Sequence, residues 1–152
     1  MNGVTKALHE LFKRDLDKLI NEVKAYEKEE HLWKVDGNIS NSAGNLTLHI
    51  AGNLKHFIGA ILGNSSYIRK RDEEFERKDV KRTELLEEIK ETKKVVLATL
   101  EDLTENDLEA LYPVNHLKKE MTTLFFLQHL YGHLHYHLGQ INYHRRLLDQ
   151  QK

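Results

Sequence analysis

The sequence predicts an all-α fold, one four-helix bundle, and three observations carry that expectation. Pro113 is the single proline among 152 residues. No segment sustains the period-two alternation of β-branched residues that a half-buried strand requires. Four separate stretches instead repeat apolar residues at three and four, which lines them along one side of a helix. Four amphipathic helices in one chain can bury their stripes only against each other. At this length residues 1–152 form a single domain, large enough to bury a core without staples.

The elements follow in order. Leu8, Leu11, Phe12, Leu16, Leu19, Ile20 and Val23 define a first helix over residues 5–30. A loop through Asp36, Gly37 and Asn38 comes next, with Trp33 as its large aromatic. Ser40, Asn41 or Ser42 caps a second helix, which Leu46, Ile50, Leu54, Phe57 and Ile61 carry to Gly63. Residues 64–82 are polar and charged and read as a long connection between helices. Thr83 is the expected cap of a third helix, with Glu84 and Glu87 in its first turn and Leu85, Ile89, Val96 and Leu100 on one face. Thr104 opens a short helical turn before Tyr112 and Pro113 break the chain. Thr122 or Thr123 opens the last helix, whose stripe is Leu127, Leu130, Leu134, Leu138, Ile141 and Leu148.

Charge excludes several functions. Lys plus Arg total 23 against 24 Asp plus Glu, so no global field attracts nucleic acid or anionic lipid. Without cysteine there is no disulfide, thiolate metal site or cysteine nucleophile. No apolar run approaches the ~20 residues that span a bilayer. The N-terminal residues are charged from the first turns and lack an apolar signal core, so a cytoplasmic location is expected.

Histidine is the feature these properties leave unexplained. Five of ten histidines fall in HLYGHLHYHLGQINYH, residues 129–144, and no Asp or Glu occurs in residues 37–71 or 121–148. The second and fourth helices therefore carry histidines without acids. A ferritin-like di-iron centre needs bundle-facing Glu and a Glu-x-x-His pair, and the chain has no Glu-x-x-His. The zincin motif is absent too. A metal held by these two helices would be held by imidazole. His133 and His137, four apart, stack on the shoulder of the leucine stripe, where two imidazoles can chelate one ion. His135 points away, and His129 drifts from the core. His49 and His56, on the edge of the second helix's apolar face, are both candidates for a third ligand, and spacing does not rank them. His9, His31, His116 and His135 are expected to be surface or satisfied core residues. Gly52 with Gly59, and Gly132 with Gly139, share helix faces at a spacing of seven and predict close helix contacts, within the bundle or across a dimer.

NLTLHIAGNLKHFIGAIL, residues 45–62, and HLYGHLHYHLGQINYHRRLL, residues 129–148, resemble the two signature helices of the DinB-like superfamily, which includes the YfiT-like proteins and the bacillithiol and mycothiol S-transferases. The resemblance covers nearly the whole chain in helix order. Its specific part is His-x-x-x-His running into Leu138-Gly139-Gln140-Ile141, with one histidine near the start of the second helix. It implies an up-down-down-up bundle, often a homodimer, with a divalent metal, zinc or nickel, on His49, His133 and His137. His56, His129, His135 and His144 are extras by this mapping. It further implies a small-molecule substrate and a low-molecular-weight thiol, with neither nucleic acid nor membrane as partner. Asn53, one turn after His49, and Gln140, three residues past His137, are the expected supports of the ligands. Two functions are then in view: a metal-dependent thiol S-transferase or related small-molecule enzyme, and a non-catalytic metal-binding or dimeric interaction module.

Overall fold

The computed structural model describes residues 1–150 and is all-helical. Helix α1, Gly3–Ala25, begins where the Asn2 side chain accepts the Thr5 amide at 2.9 Å. It buries Leu8, Phe12, Leu16, Leu19 and Val23. It ends at Ala25 rather than at the expected residue 30. The reason is competition for its last amides: Glu27 N–H donates to the Asp149 carboxylate at 2.7 Å, from the far end of the chain. A 3-10 turn, Glu29–Trp33, follows.

Helix α2, Ala43–Leu54, is capped by Ser42, whose hydroxyl accepts the Asn45 amide at 3.1 Å. Every residue of α2 is buried, which accounts for its lack of charge. The helix runs on as a π-helical segment, Lys55–Ala60, in which Ile61 N–H reaches back five residues to His56 at 3.1 Å. The connection that follows contains a short helix, α3, Arg71–Glu76. Helix α4, Arg82–Asp102, starts one residue before Thr83, with Lys81 at the cap position and no side-chain cap of its own. The Thr83 cap is thus corrected: the Arg82 amide is taken by the Glu29 carboxylate, and the Arg82 guanidinium donates to Tyr26 C=O at 2.7 Å. A long-range partner outcompetes the local one. Helix α5, Glu105–Glu109, carries a capping box between Thr104 and Asp107. Helix α6, Thr123–Leu148, is capped by Thr122.

Helix α1 packs on α4 and α6, and α2 packs on the same two, so four long helices share one core. Phe12, Leu16, Ile50, Leu54, Leu100, Phe126 and Leu134 are fully enclosed in it. Helix α3 lies against α2. The α2–α6 contact sets His49 of α2 against His133 and His137 of α6. No helix among the described residues is long and apolar enough to cross a membrane.

Of the paired glycines, those on the second helix are tightly packed. A Cβ at Gly52 would fall 2.0 Å from Glu74 Oε2, and one at Gly59 2.6 Å from Val95 Cγ1. Gly132 and Gly139 face open space, so close contact within the chain is not their reason.

Candidate metal centre

His49 leaves α2 and His133 and His137 leave α6, and their rings meet between the two helices. Each offers a nitrogen, and the three nitrogens lie within 4.8 Å of one another, a group that could hold a metal ion. His49 Nε2 is 3.2 Å from His133 Nε2, and His137 Nε2 is 3.1 Å from the same atom. Nitrogens about 2.0–2.1 Å from a tetrahedral zinc stand about 3.3 Å apart, so the spacing fits one shared ion.

The outer nitrogens decide the tautomers. His49 Nδ1 meets Glu74 Oε1 at 3.0 Å, and a carboxylate only accepts, so Nδ1 carries the proton and Nε2 is a lone pair. His137 Nδ1 donates in the same way to Gln140 Oε1 at 2.7 Å. Two lone pairs therefore aim at His133 Nε2, which has at most one proton and can satisfy only one of them. The single Nε2 proton of a neutral His133 would leave one of the two lone pairs unmet, and a second ring proton would not point at either. Burial, reinforced by the neighbouring His137 and His49, pushes His133 down to about 3, and burial also lowers His137. A divalent cation satisfies all three at once. The donor set fits such an ion.

The support of His49 is built by the connection that the sequence reading left without structure. Glu74, in α3, is only 6% exposed. Arg69 grips it with two bonds, Nε to Oε2 and Nη2 to Oε1, both 2.9 Å. Burial alone would raise the Glu74 carboxyl, but the bonds from His49 and Arg69 outweigh it and hold the group below the usual carboxylate range. The carboxylate can approach because Gly52 has no side chain in its way. Asn45 ties α3 down, donating from Nδ2 to Glu74 C=O at 3.0 Å and Arg77 C=O at 2.8 Å.

The expected residues divide clearly. Gln140 bonds His137, as just described. Asn53 does not: it is buried, its Oδ1 has no partner, and it lines a cleft beside His49 and His133. Glu74 and Arg69 were missed. The only signal for them was an acid–base pair five apart in a stretch otherwise rich in both.

The other histidines serve elsewhere. His144 is buried between the Tyr26 hydroxyl at 2.6 Å and Lys34 C=O at 2.8 Å. His31 pairs with Asp149 at 2.8 Å, His135 with the fully enclosed Asp15 at 2.6 Å, and His9 with Glu101 at 3.0 Å. His129 stacks on Phe126, and His116 packs against Phe57. His56 packs edge-on to Phe57 and stands outside the group.

The sequence model of a family described as a protein of unknown function, DUF1572, matches residues 3–152. The chain belongs to the DUF1572 family. No curated protein matches it. For DUF1572, then, the site rather than a characterised relative must carry the functional reading.

The site of this DUF1572 chain has room on both sides. One cleft, of about 290 Å³, reaches His49 and His133 between Phe57, Phe126 and Arg69. A second, of about 510 Å³, reaches His137 and Gln140 past Tyr136 and Tyr143.

Proposed function

We propose that this chain is a metal-dependent small-molecule enzyme of the DinB-like kind, transferring a low-molecular-weight thiol to an electrophile. His49, His133 and His137 hold one divalent ion, zinc or nickel. The observation that carries this reading is the meeting of three Nε2 atoms at 3.1–3.2 Å, two of them held as lone pairs by Glu74 and Gln140. An ion on three neutral imidazoles keeps its full charge, and it lowers the pKa of a thiol or water bound beside them.

The chain's own residues do the rest. Glu74 and Gln140 orient two ligand rings through their Nδ1 protons. Burial keeps His133 neutral and so free to bind. Phe57 and Phe126 give the cleft an apolar wall for the body of a substrate and help exclude water. No side chain at the centre stands as a general base, which suits chemistry where the thiol loses its proton on binding.

The four long helices then form the up-down-down-up bundle of the DinB-like superfamily, with residues 64–81 as its long connection. A cytoplasmic homodimer completes the proposal, and the exposed Tyr136, Tyr143 and Leu147 on α6 favour an interface there.

The test has two stages. Elemental analysis of purified protein should find about one zinc or nickel per chain, lost in His133→Ala and His137→Ala. Conjugation of a generic alkyl electrophile with bacillithiol, glutathione or cysteine should then be faster with loaded protein than with His137→Ala. Metal without any such difference would make the chain a binding module rather than a transferase.

A further inference from the structure

We propose that the cleft beside His49 and His133 selects an anionic ligand, a small thiol bearing a carboxylate that pairs with Arg71, an assignment that rests on the metal-centre reading above. No Asp or Glu lines the cleft, whereas Arg69, Arg71, His116 and His129 do. The Glu74 carboxylate, which contacts the cleft residues Arg69 and His49, has both oxygens engaged by Arg69 and one of them also by His49. Arg69 is therefore neutralised in place. Arg71 is not: its guanidinium sits over the Phe75 ring at 5.2 Å and makes no ion pair among the described residues. A guanidinium fork held on an aromatic face and left without an acid is a ready receptor for a carboxylate.

Asn53 adds an independent demand. Its side chain is 7% exposed, lines the same cleft, and buries an Oδ1 acceptor with no hydrogen-bond partner. Buried acceptors are rarely left so, because the lost hydration has no replacement. Because Asn53 lines the cleft, a small rotation of its side chain would turn that oxygen toward an N–H or O–H on the ligand, which would supply the missing bond. Phe57 and Phe126 line the same cleft and give it an apolar wall. The cleft thus specifies a molecule with a carboxylate at the Arg71 end, a hydrogen-bond donor near Asn53, and a sulfur at the His49–His133 end. N-substituted cysteine has all three groups. A neutral or cationic thiol lacks the first.

The probes are N-acetylcysteine, its neutral amide, N-acetylalanine and N-acetylalaninamide, titrated calorimetrically into metal-loaded wild type and Arg71→Gln. Arg71 is exposed and its side chain makes no hydrogen bond or ion pair among the described residues, so the variant should fold and load metal like wild type. N-acetylcysteine should bind about fivefold more tightly than its amide, as expected for an ion pair partly open to water. Arg71→Gln should bring acid and amide to parity without weakening the amide. Parity in wild type, or an acid preference that survives in Arg71→Gln, would overturn the anionic assignment. If both cysteine compounds still bound better than both alanine compounds, the thiol reading would stand without it. If N-acetylalanine bound as well as N-acetylcysteine and better than N-acetylalaninamide, the thiol reading would fall while the anionic cleft stood. Binding by none of the four would overturn both.

Discussion

Glu74 supports the candidate metal centre through His49 while standing outside the histidine group itself. Its carboxylate fixes the His49 tautomer, and it occupies the space that Gly52 leaves open. Replacing it by Ala should lower metal affinity by about 10–100-fold, as for other outer partners of ligand histidines, while Glu74→Gln, which retains an acceptor oxygen, should lose less. Competition against a chromophoric chelator measures this, and equal affinities for wild type and Glu74→Ala would remove Glu74 from the centre. The contrast with the ligands shows what the sequence could tell. His133 and His137 were legible because helix periodicity converts a spacing of four into a shared face. His49 was a candidate beside His56 until the resemblance chose it, since both lie on one edge of the same helix. Glu74 was not legible at all. Its partner lies 25 residues away across a connection with no periodic pattern, and nothing local announces that an acid there turns inward.

At the scale of elements, the second helix departs most from a plain reading. Periodicity extends it to Gly63, but hydrogen bonding does not stay α-helical, and Lys55–Ala60 winds as a π-helix. Such segments shift the register of the backbone and free carbonyls from their usual partners. One is met by a distant side chain: the Tyr112 hydroxyl donates to Phe57 C=O at 2.7 Å. Burial pushes the Tyr112 phenol upward, so it remains a donor throughout the physiological range. Tyr112→Phe should cost about 1–3 kcal/mol by leaving that carbonyl unpaired, read as a shift in urea midpoint with unchanged slope. No shift would mean that water replaces the hydroxyl. The glycines of α6 make the opposite prediction. Gly132 and Gly139 are exposed and meet nothing, so in a monomer Gly132→Ala should stabilise by about 0.5–1 kcal/mol through helix propensity. A loss of stability that depends on protein concentration would place a second chain against that face. Helix existence was readable because four long stripes leave little alternative. The starts capped locally by Ser42, Thr104 and Thr122 were readable too, but the end of α1 and the start of α4 were not, because Asp149 and Glu29 act on them from remote segments.

A polar seam joins the end of α6 to the end of α1, and it contributes to the molecule's response to acid. His144 is 4% exposed and hydrogen-bonded on both nitrogens, accepting from Tyr26 and donating to Lys34 C=O. That arrangement requires the neutral ring, and burial accordingly lowers the His144 pKa, only partly offset by the bond to Lys34. The unfolded chain has no such preference and takes up a proton near pH 6.5. Between the unfolded and folded pKa values the unfolded state therefore binds more protons, and stability falls as pH falls, by up to about 1.4 kcal/mol per pH unit for this one group. Asp149, held below its usual range by Glu27 N–H and His31 against the opposing effect of burial, adds a second loss, but only at more acid pH as it too is protonated. The two contributions thus have the same sign and separate windows, histidine first and carboxylate later. Metal-free protein, unfolded in urea at pH 7.5 and 5.5, should be less stable at the lower value, and His144→Phe should reduce that difference, leaving the share that His133 and His137 contribute, while lowering stability at pH 7.5. If the variant keeps the full difference between the two pH values, His144 is not the group that senses it.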